Sequence, residues 1–111
     1  MAELRSNLEQ KVRQINDDKA KMGQVQKWID GLKGKVITFK SPQESYHIAF
    51  TKEKVALREG DYPSCEVSYR GDEENLLKIL RGEEKAATVW RTGQLKVWGS
   101  LSEAMQFEAL L

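Results

Sequence analysis

The stretch TGQLKVWGSLSEAMQFEALL (residues 92–111) holds two signals from which the rest of the chain can be ordered. Leu95 and Val97 alternate with Lys96 and Trp98, the two-residue period of a strand with one apolar face. After Gly99 the period changes. Ser100 and Glu103 have capping-box spacing for a helix start, and Leu101, Ala104, Met105, Phe107, Ala109 and Leu111 spread over a wide arc of the helix that follows. That arc is wider than a surface helix needs, so the helix must be covered or must itself cover something. Trp98 points away from Leu95 and Val97. It is either a local cover on the open face of a sheet, stacked on the Lys96 stem with some cation–π gain, or an anchor for a dimer or another partner.

Working outward, DEENLLKILRG (72–82) opens on acids, which suit a helix N-terminus. It continues with Leu76, Leu77, Ile79 and Leu80 at helical spacing and stops at Gly82. A short helical piece through Ala86 and Ala87 leads to Val89 and Trp90, and Gly93 turns the chain into the last strand. Upstream the period is two: Ile37 and Phe39 in KVITFK (35–40), Tyr46, Ile48 and Phe50 in ESYHIAF (44–50), Val55 and Leu57 in KVALRE (54–59). Thr51 to Lys54 make a hairpin connection, Gly60, Asp61 and Pro63 a further turn, and Cys65, Val67 and Tyr69 a fourth strand. Residues 3–32 read as helix, with Leu8, Ile15, Met22 and Ile29 at seven-residue spacing joined by Leu4, Val12, Val25, Trp28 and Leu32. Propensity drops at Asn16, Asp17 and Asp18, which predicts a break or frayed joint, and Gly31 and Gly34 stop the helix. The order predicts an α+β domain: a five-stranded, mostly antiparallel sheet with helices packed on one face and a long N-terminal helix. We expect one domain over residues 1–111, with residues 1–18 either part of it or a separate or frayed helical segment.

The bulk numbers narrow the function classes. Among 111 residues, 18 basic side chains face 17 acidic ones, so no whole-protein field favours nucleic acid or an anionic membrane; Lys33, Lys35 and Lys40 are dispersed. The expectation is no nucleic-acid partner and at most transient membrane contact. Cys65 is the single cysteine, which rules out an intrachain disulfide and fits a reducing compartment; it reads as a small core side chain. The sequence shows no membrane-length apolar run, and MAELRSNLEQ (1–10) lacks the apolar stretch of a secretion signal. A cytoplasmic location is expected. The single histidine, His47, alternates away from the apolar face and reads as solvated. One Cys and one His give no zinc spacing, no Gly-x-Ser-x-Gly elbow is present, and GLKGKV (31–36) is too short for a phosphate loop. Glu73, Glu74, Glu83 and Glu84 lie in solvated helix starts. Neither catalysis nor a metal or cofactor is expected.

Taken together, DEENLLKILRG (72–82), GQLKVWG (93–99) and SLSEAMQFEALL (100–111) resemble the sterol carrier protein type 2 family, the non-specific lipid-transfer proteins. The pattern is an acid-led helix with a leucine pair ending in Gly, a Gly-x-Leu-x-apolar-x-Gly strand, and a helix after that glycine. The likeness covers about ninety residues and is specific in the last forty. It implies helices over one face of a five-stranded sheet, with an apolar lipid-holding cavity between them. The ligands it implies are fatty acids, fatty acyl coenzyme A or sterol-like molecules. Ala109, Leu110 and Leu111 do not match the targeting tripeptide of the family's peroxisomal members, and Trp98 stands where a smaller residue is expected. A sealed empty cavity of about 300 Å³ costs roughly 7 kcal/mol, comparable to a whole domain's stability, so the site should be open, collapsed or occupied. With the resemblance, the residues expected to line it are Phe50, Leu57, Val67, Leu77, Leu80, Val89, Trp90, Leu95, Val97, Met105 and Phe107, each of which suits plain core equally well. The C-terminal helix is the expected lid, and Glu108 either a polar contact at the cavity mouth or a side chain reaching water at a frayed end. The alternative is a non-enzymatic interaction or accessory module with a filled core, dimerising or docking to an enzyme.

Overall fold

The computed structural model describes residues 3–29, 31, 33–62 and 64–111; Leu32 of the expected helical stripe and Pro63 of the expected turn lie outside them. Helix α1 (Glu3–Asp17) buries Leu4, Leu8, Val12 and Ile15, and α2 (Lys19–Trp28) buries Val25 and Trp28. The joint falls at Asp18, where the helical pattern thins, and it is an ordered cap. The Asp18 carboxylate accepts hydrogen bonds from the backbone N–H of Ala20 (2.9 Å) and Lys21 (3.2 Å), two of the donors that a helix start leaves unpaired. Residues 3–17, left open above as a separate segment, thus contribute four side chains to the common core. The second helix stops at Trp28, short of Gly31 and Gly34, because Ile29 leaves in an extended conformation with its side chain buried.

Five strands follow the predicted pattern: β1 (Lys35–Lys40), β2 (Ser45–Phe50), β3 (Val55–Glu59), β4 (Val67–Gly71) and β5 (Leu95–Gly99). Their order is β3-β2-β1-β4-β5. The pair β1·β4 is parallel and the other three are antiparallel. Register places Leu57, Ile48, Ile37 and Val67 side by side, and likewise Tyr46, Phe39, Tyr69 and Val97. These rows form the face on which α1, α2, α3 (Glu73–Leu80), α4 (Ala86–Thr92) and α5 (Leu101–Glu108) pack. Glu73, one of the acids opening α3, turns back to accept from the Leu4 N–H at 2.9 Å, so α3 caps α1.

The other face differs from expectation. Strands β3 and β4 run the same way with β2 and β1 between them, so residues 60–66 must cross the sheet. The crossing is pinned by Gly60 N–H to the Ser45 carbonyl (2.7 Å) and Glu66 N–H to the Val36 carbonyl (2.8 Å). Asp61 sits between Lys40 (3.7 Å) and Arg70 (3.5 Å). His47 does lie on this outer face, but it is 7% exposed rather than solvated. Its Nδ1 is 3.0 Å from the Gly60 carbonyl oxygen and its ring centre 5.2 Å from that of Tyr62. Cys65, expected in a strand and in the core, is half-buried in the crossing, one residue before its end.

The two sheet edges are unlike. At β3, the Asn16 side chain accepts from the Val55 N–H and donates to the Val55 carbonyl, both at 2.8 Å. One amide thereby imitates a neighbouring strand and closes an edge that would otherwise be open to pairing. Replacing Asn16 by Ala leaves both groups of buried Val55 to find water and should lower stability by about 1–2 kcal/mol, read as a fall in the urea midpoint. An unchanged midpoint would show that the amide contributes nothing to the edge.

Candidate functional site

The space between the sheet and α5 is where the resemblance placed a cavity, and aromatic rings fill it. Phe107 of α5 lies 5.8 Å from Phe39, 5.9 Å from Phe50 and 6.1 Å from Tyr69, centre to centre. Phe39 stacks on Tyr69 at 5.0 Å, and Trp28 meets Phe50 edge-on at 5.0 Å. Such contacts add to the burial of large apolar area. These five rings pack against one another.

Two carboxylates hold α5 in place. Glu108 is 7% exposed; one of its oxygens accepts from the Tyr69 hydroxyl at 2.7 Å and from the Ala86 N–H at 3.0 Å. This side chain therefore neither frays into water nor stands at a cavity mouth. It joins α5 to β4 and to the start of α4, because a buried carboxylate must find donors. Burial, and the Glu108 charge beside it, push the Tyr69 hydroxyl well above the usual tyrosine range. Glu103, at the other end of the helix, accepts from Trp28 Nε1 (3.2 Å) and from Lys35 Nζ (2.7 Å). Only half of the expected capping box forms: the Ser100 hydroxyl accepts from the Glu103 N–H at 3.4 Å, while the Glu103 side chain turns to α2 and β1. Since α5 supplies Phe107 and the turn after it Leu110 to the core, cutting the chain after Gly99 would remove core as well as lid.

The apolar opening lies beside α5. A groove of about 370 Å³ runs between α4, β5 and the first turn of α5, lined by Ala86, Ala87, Trp90, Arg91, Val97, Gly99 and Leu101. A second hollow, about 430 Å³, adjoins it along β5 and shares Trp90 and Val97. One glycine lines each opening, Gly99 the groove and Gly93 the hollow. Gly93 ends α4 in the left-handed region at φ +79°, which glycine adopts without a Cβ penalty. At Gly99 (φ +111°) any Cβ would run into the Glu66 carbonyl, so β5 can close on β4 only with glycine there.

Of the eleven residues predicted to line a pocket, Phe50, Val67, Leu77, Leu80, Val89, Leu95 and Phe107 are buried in the core. Leu57 and Val97 are partly buried against it, and Trp90 and Met105 are 65% and 63% exposed. The groove brings together Trp90 and Val97. It adds Ala86, Ala87, Arg91, Gly99 and Leu101, of which the wide apolar arc of the closing helix signalled only Leu101. Helical spacing does not show which apolar side chains meet a neighbour, so the exposure of Trp90 on α4 and Met105 on α5 was not legible. Among the described residues no three His, Cys, Asp or Glu side chains gather as a metal site, and no helix is long and apolar enough to cross a membrane.

Helices over one face of a five-stranded mixed sheet, with an apolar groove beside the closing helix, define a sterol-carrier-like α+β domain. The model of the SCP-2 sterol transfer family matches residues 8–111, and the chain belongs to that family. Among solved structures, the fold is similar to a UbiJ-SCP2 ubiquinone synthesis protein (18% identity, TM-score 0.70, covering 95% of this chain and 85% of that one). It is also similar to sterol carrier protein 2 from Yarrowia lipolytica in its apo form (19%, 0.61, 91% and 84%). A further match is the inverting sec-alkylsulfatase Pisa1 from Pseudomonas sp. (14%, 0.67), where it covers 81% of this chain but spans 14% of the enzyme's. No curated protein matches the chain significantly.

Glu108→Ala should cost about 2–4 kcal/mol, since it strands a buried hydroxyl and a buried N–H; a urea midpoint within error of wild type would refute the anchoring role. The raised Tyr69 pKa gives a second test. Its neutral form is favoured by the fold, so this contribution is complete below pH 10, the ordinary tyrosine value. Above that the unfolded chain ionises and the folded one does not, and stability should fall by about 1.4 kcal/mol per pH unit for this residue. Denaturation between pH 9 and 11 should show a shallower loss in Tyr69→Phe than in wild type.

Proposed function

We propose that this protein is a cytoplasmic, non-enzymatic lipid-binding module that takes up fatty acyl or sterol-like molecules through the groove beside α5. The observation that carries the reading is the groove itself. Its volume of about 370 Å³ lies within the range of roughly 300–1,000 Å³ usual for small-molecule sites. Ala86, Ala87, Trp90, Val97 and Leu101 offer apolar wall, and Arg91 a single cation, a pattern suited to an apolar tail with an acidic head. Each buried methylene contributes about 0.8 kcal/mol, so a sixteen-carbon chain gains up to roughly 12 kcal/mol before association costs. Such a wall reads methylenes alike, which favours breadth over selectivity. Deeper entry, towards Phe107, requires α5 to move as a lid against its Glu103 and Glu108 contacts.

Titration with a fluorescent fatty acyl probe, read by energy transfer from tryptophan, tests the proposal. Wild type should bind saturably, and unlabelled fatty acids and sterols should displace the probe. Leu101→Glu puts a carboxylate into the groove from a position that is already half exposed. It should weaken binding at least tenfold without loss of fold; an unchanged affinity would move the site elsewhere. A folded wild type that binds no probe favours the accessory-module reading, which the packed interior and the exposed Trp98 support.

A further inference from the structure

Helices cover one face of the sheet, and cations gather on the other. Cross-strand partners share a face, so the registers set out the outer one row by row. One row runs His47, Thr38, Ser68 and Trp98 across β2, β1, β4 and β5, and the next runs Ser45, Lys40, Arg70 and Lys96. Arg58 of β3 stands beside His47. The outward residues of the strands thus carry Lys40, Arg58, Arg70 and Lys96 but no carboxylate, and Lys40, Arg70 and Lys96 are direct neighbours. Like charges placed opposite each other on adjacent strands destabilise a sheet unless an anion lies among them.

The connection between β3 and β4 brings two carboxylates to this face. Glu66 gives an oxygen to the Val36 N–H at 2.6 Å, at the other end of β1 from Lys40. Asp61 serves both Lys40 (3.7 Å) and Arg70 (3.5 Å), each farther than the roughly 2.7–2.9 Å of a charge-assisted hydrogen bond. Lys96 enters none of the ion pairs of the described residues. One loosely held carboxylate therefore stands against three adjacent cations. The hydroxyls follow the same pattern. Thr38 Oγ1 and Ser45 Oγ are the buried side-chain polar atoms left without a hydrogen-bond partner among the described residues, and both belong to these rows. Ser45 is directly opposite Lys40, and Thr38 is opposite Ser68, whose Oγ accepts from Arg70 Nε at 3.1 Å. Buried polar atoms ordinarily find partners, so two orphans beside the cation row point to a polar group that the protein does not itself supply.

We propose that Lys40, Arg70 and Lys96 form a binding site for a small soluble phosphate ester, whose place the Asp61 carboxylate keeps in the free protein. A phosphate monoester offers nearly two negative charges and three acceptor oxygens near neutral pH, more than one carboxylate can. The Arg70 guanidinium suits two of those oxygens as a planar fork, and the lysines flank it as flexible point charges. Adjacent strands lie about 5 Å apart, which keeps a group centred over Arg70 within reach of both lysine side chains. Trp98, two residues along β5 from Lys96, borders the row and serves as its reporter. The site is on the face opposite the helices and the Phe107 cluster, so it goes beyond the lipid-binding reading and does not depend on it.

The test is a titration of the whole nitrogen-15-labelled chain with glycerol phosphate, at an ionic strength held constant with sodium chloride. The amide signals of Lys40, Arg70 and Lys96 and the Trp98 indole signal should shift saturably. Lys96→Gln alters an exposed side chain outside every ion pair of the described residues, and it should weaken binding about threefold or more. Arg70→Gln should weaken it about tenfold or more; where that variant unfolds, Lys96→Gln alone decides. Asp61→Asn removes the competing carboxylate and should tighten binding about threefold, with circular dichroism as in wild type. Shifts that sodium chloride or glycerol reproduces overturn the site, as does an affinity that neither Lys96→Gln nor Arg70→Gln lowers. A folded Asp61→Asn that binds no more tightly than wild type overturns the place-keeping role of Asp61. Displacement of the fatty acyl probe by glycerol phosphate would put the ester in the groove and overturn the proposal. Binding to phosphatidic acid vesicles with no response to the soluble ester would do the same, by assigning the row to a lipid headgroup.

Discussion

A carboxylate at the end of α5 fixes the C-terminal half of the molecule. Buried Glu108 requires hydrogen-bond donors, and it finds them on two different elements, the Tyr69 hydroxyl of β4 and the Ala86 N–H of α4. With that end of α5 pinned to the sheet, the preceding residue, Phe107, is driven in among Phe39, Phe50 and Tyr69. The helix is then committed to a rotation about its axis. Ala104, Phe107 and Glu108 face inward, while Leu101 and Met105 face outward. A packed interior and an apolar groove outside it are consequences of one orientation, since a helix that turns its phenylalanine in must turn the opposite side out.

The rest of the chain concentrates exposed apolar surface at one corner. The connection after β3 lies over part of the outer sheet face, where Gly60 and Tyr62 meet the buried His47. Asn16 closes the β3 edge, and α1 is fastened to α3 through Glu73. Strand β5 forms the opposite edge, and both exposed tryptophans stand beside it. Proteins usually protect such edges. Here the protection is spent on β3, and β5 is flanked by Trp90, Trp98 and cations. That contrast puts the groove and the exposed tryptophans on the same side.

The packed interior also bears on how a lipid would enter. An empty sealed cavity would cost this domain much of its stability, and ring packing removes that cost in the structure as it stands. Opening the same space requires α5 to release the partly buried Glu103–Lys35 pair, the Trp28 contact and the Glu108 hydrogen bonds. Each neutral bond contributes about 0.5–1.5 kcal/mol, and those to charged groups more. The apolar gain from a long acyl chain is of the same order as the sum, so ligand burial and helix release can balance.

Local sequence determined much of the architecture. Alternation in KVITFK, ESYHIAF and KVALRE placed three strands within a residue or so. The acid-led leucine helix and the glycines at 93 and 99 placed the C-terminal elements. The weak propensity at Asn16 to Asp18 located the joint between α1 and α2. These features depend on neighbours in the chain, which a sequence displays directly. Tertiary structure alone decided the surroundings. His47 lies on the face that alternation assigned, yet it is buried, because seven residues of connection had to cross two strands. Seven of the eleven expected pocket residues became core while Trp90 and Met105 stayed outside, and Glu108 became an anchor when donors from β4 and α4 met beneath it. Apolar character fixes that a side chain is driven from water; only the packing of distant segments settles whether protein or a ligand takes the water's place.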